Sequence, residues 1–455
     1  MNRSEDQFVV RGKDRFGLGV EAARVSGART RAVIKVLSGL ARRDPSILEA
    51  ARTGTAPDAG TLAEVEGASR ALSLASDDLL SARRLAQSIT MAGCTNFGAV
   101  GEATEDGSVM TSWNFDVAPF FRQMMGRFPL FVRELPGAIP YLAMGVPALF
   151  GIGVMNAEGL SCVVNAVGLT DDGAGLTPFE LNNRAMETCT RVSEASRVFA
   201  DGPRQALKAI TMGILMNWNT IWADREGNLS LFESSHNYFN EHDATAECSI
   251  ASANHHQFLD RALSGGVDPV TQPLIAGSFS RLGRMYTLLE EHRGRIGPMV
   301  VKQMVSDHMA DYSLLADYGI EREWWQERVD DGTICAHAWN VKKHLAAGRM
   351  RAAWDEVSFS TTVYSFQLQP LSMTSWFTDG HPCKNDAIPV YWGRLLGNDA
   401  DRYPGALDPD ELFGAKRQTA RRLIFSDSAS GIEGALGRAW MAVSRWAESV
   451  NFKHD

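Results

Sequence analysis

The chain has 455 residues, of which 45% are hydrophobic and 22% are charged, as is ordinary for a soluble globular protein. Its net charge of −9 at pH 7 argues against nucleic acid or an anionic membrane surface as the main partner, because both attract basic proteins. The length is sufficient for one large domain or for two ordinary ones.

The cysteines show neither a CxxC pair nor any spacing typical of a metal site. They therefore predict buried thiols, no bound metal and a reducing compartment. The first residues lack a long apolar segment, so no secretory signal is expected and the predicted location is cytoplasmic. The six positions are Cys94, Cys162, Cys189, Cys248, Cys335 and Cys383.

Residues 1–93 are rich in alanine, arginine, leucine and serine and form a leader with helical patterning. In residues 77–85 the acidic side chains come first, the basic ones follow, and apolar residues recur at about 3.6-residue spacing, as in an amphipathic helix. We therefore predict that the leader is helical.

The period changes after Cys94, where strand-like runs alternate with glycine-containing turns. Residues 97–103 and 108–116 flank Asp106-Gly107, a strong hairpin signal because both residues accept positive φ. Further strand pairs are predicted at 152–156 with 160–167, 220–223 with 229–233, and 357–367 with 371–377.

Residues 135–155 carry no charge and are long enough to span a bilayer. They also contain three prolines and four glycines, which an uninterrupted helix would tolerate poorly. We predict a buried loop and strand here, and no membrane segment.

Helical stretches lie between and after the strand pairs, which indicates an α+β fold. The pattern leaves open whether the strands form one sheet or two. No internal repeat or low-complexity linker divides the chain after the leader. The predicted helices cover residues 179–200, 203–215, 281–293, 299–311, 409–424 and 431–450.

The tripeptide Gly93-Cys94-Thr95 stands at the junction between the leader and the first hairpin. A cysteine that becomes an N-terminus carries a thiol nucleophile and its own base, an α-amine with a pKa of about 7.7–8.0. The hairpin returns Asp116 beside Cys94, where a carboxylate can hold that amine. The alternatives are a buried structural thiol at Cys94 and an aspartate that caps the next loop.

Gly93-Cys94-Thr95, followed by Trp113-Asn114-Phe115-Asp116, resembles the penicillin acyltransferase-like branch (peptidase family C45) of the N-terminal-nucleophile (Ntn) hydrolases. Weaker motifs extend the resemblance over residues 91–390. It implies an αββα sandwich of two antiparallel sheets between helical layers. Trp113 stands where the related bile-salt-hydrolase branch has arginine, which disfavours that branch.

Two further site residues follow from the resemblance. Residues 252–255 resemble the segment that supplies an oxyanion-hole amide, which assigns that role to Asn254; the alternative is a turn asparagine. Residues 278–281 resemble a Ser-Arg segment, which places Arg281 in the first turn of a helix, bridging a carboxylate and the nucleophile region; the alternative is a surface arginine. His255 and His256 are adjacent and lack a third ligand, so no metal is expected.

The resemblance implies an enzyme made as a zymogen. Cleavage at Gly93–Cys94 would leave residues 1–93 as a small subunit associated with a large subunit, residues 94–455. Cys94 would then form an acyl-enzyme with a small amide, N-acyl or thioester substrate and hydrolyse it, without any cofactor. Two alternatives stay open: an acyltransferase that uses a coenzyme A thioester and an amine, and a non-catalytic binding protein on the same fold. The acyl group and homo-oligomer formation also stay open, and residues 117–150 are either an acyl pocket or ordinary core.

Overall fold

The computed structural model describes residues 8–43, 48, 59–89, 93–117, 125, 129–209, 214–266, 276–319, 333–335 and 361–411. The helices in these ranges are α1 (Arg15–Ala41), α2 (Ala59–Leu72), α3 (Ser76–Ile89), α4 (Pro178–Thr188), α5 (Val192–Asp201), α6 (Arg261–Ser264), α7 (Ala276–Glu291), α8 (Pro298–Val305) and α9 (Gly393–Leu396). Short 3₁₀ turns cover Ser313–Tyr318 and Pro370–Ser372.

The strands of the described residues form two sheets, called here the large and the small sheet. The large sheet has the order β1-β4-β5-β6-β7-β9-β10-β11, with β8 beside β9. Its strands are β1 (Val9–Arg11), β4 (Leu130–Glu134), β5 (Tyr141–Val146), β6 (Phe150–Asn156), β7 (Ser161–Leu169), β8 (Leu207–Ala209), β9 (Ile214–Ala223), β10 (Leu229–Ser234) and β11 (Phe239–Asp243).

The small sheet has the order β12-β2-β3-β13-β14-β15. Neighbouring strands of the small sheet run antiparallel. Neighbouring strands of the large sheet also run antiparallel, except for the parallel pair β1 and β4. The strands of the small sheet are β2 (Cys94–Gly101), β3 (Gly107–Val117), β12 (Ser249–Ser252), β13 (Thr361–Gln369), β14 (Thr374–Asp379) and β15 (Ile388–Tyr391).

The two sheets pack face to face. Gly98 of β2 approaches the large sheet so closely that a Cβ there would lie 2.6 Å from Leu229 Cδ1. On the outside of the large sheet, Asn182 of α4 accepts a hydrogen bond from Gly153 N at 2.6 Å. On the outside of the small sheet, Phe97 belongs to one buried cluster with residues of α7 and α8. The predicted α+β sandwich, with both sheets between helices, is therefore confirmed.

The glycine-containing turns form the predicted hairpins. Gly107, Gly159 and Gly227 adopt φ of 72°, 85° and 87°, a region in which glycine has no steric penalty. The strand pairs β2–β3 and β9–β10 flank two of these turns in antiparallel register. The strand pair that closes the small sheet also exists, as β13 and β14.

Three predicted helices are wrong in part or in full. The helix predicted over 299–311 is too long, since α8 ends at Val305. The helix predicted over 203–215 is absent where the structure describes it, because β8 and the start of β9 pair with each other and β9 pairs with β7. Sheet pairing outweighs the weak helix preference of this alanine- and leucine-containing run. The helix predicted over 179–200 divides into α4 and α5, since Glu194 caps the second helix by accepting Thr190 N at 2.7 Å.

The leader has the predicted helices, α1 to α3, and in addition a strand that the sequence analysis missed. Strand β1 pairs in parallel with β4, with Val9 opposite Val132, so residues of the leader extend the large sheet. The predicted boundary between the leader and residues 94–455 stays a prediction.

The uncharged segment 135–155 forms a loop followed by strands β5 and β6, which are fully buried. This confirms the predicted loop and strand. Within the described residues, no helix is both long and apolar enough to cross a membrane. Of the two helices predicted near the C-terminus, residues 409–411 of the first are helical, and the rest of both lies outside the described residues.

Candidate active site

Cys94 is the first residue of β2 and is 3% exposed. It lies opposite Phe115 of β3, and strand alternation places it on the same face as Gly98, towards the large sheet. Gly93 O accepts a hydrogen bond from Asp116 N at 2.9 Å. The hairpin thus brings the predicted nucleophile and the predicted carboxylate residue together.

Asn254 and Arg281 both contact the backbone of Cys94. Cys94 N donates to Asn254 Oδ1 at 3.0 Å, and Arg281 Nη2 donates to that oxygen at 2.8 Å. Arg281 Nη1 donates to Cys94 O and, at 2.9 Å, to Thr95 Oγ1. The structure therefore brings together all four residues singled out in the sequence, whose catalytic roles stay predictions.

The orientation of the Asn254 side chain differs from the one expected for an oxyanion donor. Its Nδ2 donates to Ala166 O at 2.8 Å, while its Oδ1 accepts from Cys94 N and from Arg281. Asn254 thus presents an acceptor to the backbone N–H of Cys94.

Arg281 lies deeper in its helix than expected. Helix α7 begins at Ala276, so Arg281 is its sixth residue and lies in the second turn, where the sequence predicted the first. The residues taken to precede the helix are part of it, and Ser278 Oγ accepts Asn254 N at 2.6 Å. The early turns of α7 therefore hold both Asn254 and the peptide at Cys94.

The loop that carries Asn254 is held by the buried carboxylate of Glu233. Its oxygens accept the backbone N–H groups of Gln257, Phe258 and Leu259 at 2.6, 2.8 and 2.6 Å. Burial raises the pKa of Glu233 in spite of these three donors. This glutamate fixes the loop and so the position of Asn254.

The two adjacent histidines are not suited to act as bases at neutral pH. Burial lowers the pKa of His255 well below its usual value, and burial together with Arg261 lowers that of His256 to about 4. His255 is stacked on Phe279 with ring centroids 3.7 Å apart. Both imidazoles are therefore neutral parts of the packing.

The Cys94 side chain is held almost entirely in its protonated thiol form. Burial and the neighbouring Asp116 carboxylate raise its pKa to about 12, against smaller effects of Trp113, the Asp116 backbone N–H and Arg281. Since the thiolate is the nucleophile, attack from this state requires a group that accepts the thiol proton.

Asn165 is a candidate site residue that the sequence analysis missed. It is fully buried on β7, and both its side-chain nitrogen and its oxygen lack a hydrogen-bond partner. Cys162 on the same strand contacts Asn182 of α4 at 3.5 Å, so alternation directs Asn165 to the opposite face, towards the small sheet. The available signal was an asparagine inside an otherwise apolar buried strand.

The aromatic and methionine side chains of residues 117–150 are only partly described. Those that are described are buried in the main hydrophobic core; they are Met125, Phe131, Tyr141 and Met144. The others named in the sequence, Phe120, Phe121, Met124 and Phe128, lie outside the described residues.

Two face-to-face sheets, with Cys94 at the first position of a strand of the small sheet, are the arrangement that the resemblance implied. Residues 104–324 match the family model described as acyl-coenzyme A:6-aminopenicillanic acid acyl-transferase. This match confirms the resemblance predicted from the sequence and supports acyl-transfer or amide-hydrolysis chemistry. It includes Asp116, Asn254 and Arg281, and it begins ten residues after Cys94.

Two solved structures are similar to this chain at low identity. A mutant of a conjugated bile acid hydrolase from Clostridium perfringens is 12% identical, with 69% of this chain and 98% of that chain covered and a TM-score of 0.40. A penicillin V acylase from Agrobacterium tumefaciens is 14% identical, with coverages of 67% and 88% and a TM-score of 0.34. No curated protein sequence matches the chain.

Proposed function

We propose that the chain is an amide-bond hydrolase that first cleaves itself between Gly93 and Cys94. The observation that carries the proposal is the set of bonds around that one peptide. Asp116 N–H binds the Gly93 carbonyl, Asn254 Oδ1 accepts from the Cys94 nitrogen, and Arg281 binds the Cys94 carbonyl. A peptide bond held at its carbonyl, at its nitrogen and at the next carbonyl is well positioned for attack.

The proposed self-cleavage is an N→S acyl shift. Cys94 Sγ attacks the Gly93 carbonyl carbon, and Asp116 accepts the thiol proton while its backbone N–H stabilises the oxyanion. The proton passes to the Cys94 nitrogen, the C–N bond breaks, and a thioester remains. This step frees the Cys94 α-amine, and water then hydrolyses the thioester to the Gly93 carboxylate and the free Cys94 thiol.

The mature reaction repeats these steps on a substrate. The α-amine, held by Asn254 Oδ1 and close to Asp116, accepts the thiol proton, and Sγ attacks an amide or N-acyl carbonyl. The Asp116 N–H and Asn165 Nδ2 are the donors offered to the oxyanion. The leader stays associated after cleavage, because β1 is paired within the large sheet and Glu64 of α2 binds Arg133 of β4.

Intact mass spectrometry of the wild type beside Cys94→Ala tests the first step. We expect two chains, residues 1–93 and 94–455, in the wild type and in the control Cys248→Ser, and one uncut chain in Cys94→Ala. Cys248 is a suitable control because its thiol is half-buried at the opposite end of the β2–β12 pair. A single uncut chain in the wild type after long incubation at neutral pH would contradict self-cleavage.

Incubation of the cleaved protein with small N-acyl amides and thioesters tests the second step. We expect a mass increase on Cys94 that decays in water to the free acid. Added amine, in competition with water, separates hydrolysis from acyl transfer. Normal cleavage without acylation by any amide or thioester would favour the non-catalytic binding protein.

A further inference from the structure

Three side chains from distant parts of the sequence converge outside the candidate active site. His308 lies after α8, Cys335 lies in the short described stretch 333–335, and Cys383 lies in the turn between β14 and β15. Their donor atoms all lie within 4.8 Å of one another. Imidazole nitrogen and thiolate sulfur are the ligands that zinc prefers in proteins.

The separation of the two sulfur atoms fits a shared metal ion. Cys335 Sγ and Cys383 Sγ are 3.6 Å apart. Two thiolates at about 2.3 Å from a tetrahedral zinc ion are about 3.8 Å apart, whereas the sulfur atoms of a disulfide are about 2.05 Å apart. The pair is thus spaced as two corners of a tetrahedron, with His308 near enough to supply a third.

The backbone on both sides of the cluster is held in place by other contacts. Cys335 N donates to Asp307 O at 3.0 Å, and the Asp307 carboxylate is bound by Arg284 at 2.9 Å. On the other side, Lys302 Nζ donates to Pro382 O and to Asn385 O. The ligands therefore approach one another on segments that are already fixed, which favours binding of an ion.

Lys302 also supplies the charge that such a site needs. Its Nζ donates to Pro382 O, next to Cys383, so a positive charge lies beside the cluster. That charge offsets part of the negative charge that two thiolate ligands would bring to a metal site.

We propose that His308, Cys335 and Cys383 bind one Zn²⁺, with a water molecule or a further donor at the fourth position. The site is structural and lies near the hairpin that β2 and β3 form. Asn114 Nδ2, two residues before Asp116, donates to Val305 O at 2.9 Å and to Ile334 O at 3.2 Å. The ion would join the segment that follows α8 to residues 333–335, and Asn114 binds the backbone next to both. This inference does not depend on the proposed function.

Metal analysis of the reduced, full-length protein tests the proposal. The protein is treated with a chelator, mixed with one equivalent of ZnCl₂ and desalted, and its zinc content is measured. We expect one zinc per chain in the wild type and none in Cys335→Ser/Cys383→Ser. The matched control is Cys189→Ser/Cys248→Ser, which likewise changes one buried and one half-buried thiol and should retain one zinc.

Co²⁺ serves as a coloured probe of the ligands in the same wild-type protein. A thiolate-to-cobalt charge-transfer band and tetrahedral d–d bands are expected, with binding at least about tenfold weaker in His308→Ala. If the double variant does not fold, peptide mapping of the wild type decides: bound zinc should protect Cys335 and Cys383 from alkylation and leave Cys248 reactive. Absence of zinc from the reduced wild type, equal zinc in the folded double variant, or no protection of the two cysteines would overturn the proposal.

Discussion

Two buried polar regions of this molecule differ in how their charges are satisfied. One joins the leader to the large sheet: Arg133 of β4 binds Glu64 of α2 through two bonds of 3.2 and 2.8 Å, and Arg83 lies 3.6 Å from the same carboxylate. Burial alone would raise the pKa of Glu64, but the guanidinium groups of Arg133 and Arg83 lower it to about 2.

The other region surrounds Cys94 and is left partly unsatisfied. Asn96, on the same face of β2 as Cys94, and Asn165 of β7 are fully buried, and their side-chain amides have no partner. Leaving a buried polar group without a hydrogen bond costs about 1–3 kcal/mol. We therefore expect that breaking the paired region lowers stability, and we propose that the unpaired region keeps donors available for a reacting carbonyl.

The largest effect that would sharpen this comparison is expected from Asp116→Asn. The amide cannot accept the thiol proton, so self-cleavage should slow by about 10²–10⁴-fold, the range typical of general acid–base groups, while the fold is retained. The rate is measured as the fraction of uncut chain over time. Asp106→Asn, in the exposed hairpin turn, is the matched control, and equal rates in the two variants would exclude Asp116 as proton acceptor.

Breaking the paired region should lower the free energy of unfolding and leave the rate of self-cleavage unchanged. Glu64→Gln leaves Arg133 buried without a counter-charge, so the free energy of unfolding should fall by about 3–5 kcal/mol. Glu66→Gln removes an exposed ion pair with Arg70 and should cost less than about 1 kcal/mol. Denaturant unfolding measures both values, and equal losses would refute the distinction.

The dependence of the free energy of unfolding on pH, measured in acid, also tests the Glu64 carboxylate. Because the pKa of Glu64 is lowered from 4.5 to about 2, its contribution is fully present above about pH 4.5 and is lost as the pH falls towards 2. The wild type should therefore lose more stability over this interval than Glu64→Gln. Parallel profiles for the two proteins would show that Glu64 is not held in its charged form.

Removing an unpaired donor should lower the catalytic rate and leave the stability nearly unchanged, the opposite of the change at Glu64. Asn165→Ala should lower kcat for amide hydrolysis by about 10²–10³-fold, as expected for one oxyanion donor, with little loss of stability. Asn183→Ala, on α4 with a side-chain oxygen that also lacks a partner, should leave kcat unchanged. A large fall in stability with unchanged kcat would make Asn165 a packing residue.

The smallest change is expected in the pH dependence of self-cleavage by the wild type. The pKa of the Cys94 thiol is raised to about 12, so the thiolate fraction grows about tenfold per pH unit between pH 6 and 9. With Asp116 accepting the proton, the wild-type rate should change little over this range. In Asp116→Asn the rate should rise about tenfold per unit, and the same slope in the wild type would argue against the proposed proton transfer.

The sequence predicted those features whose cause lies within a few residues. Glycine accepts positive φ, and this local preference determines the hairpin turns at Gly107, Gly159 and Gly227. It does not depend on where the flanking strands pack. Because one such hairpin joins Cys94 to Asp116, their proximity also followed from the sequence. The helix predicted over 203–215 failed for the converse reason, since pairing with β7 is a contact with distant residues.

By itself, the sequence therefore determined the hairpins, the leader helices and the position of the candidate nucleophile, through backbone preferences and apolar periodicity. The tertiary structure alone decided that Arg281 and Asn254 meet at Cys94, that Asn165 faces the small sheet, and that His308, Cys335 and Cys383 converge. These groups come from segments tens to more than a hundred residues apart. No local preference encodes such distances, because they result from how two sheets and their helices pack.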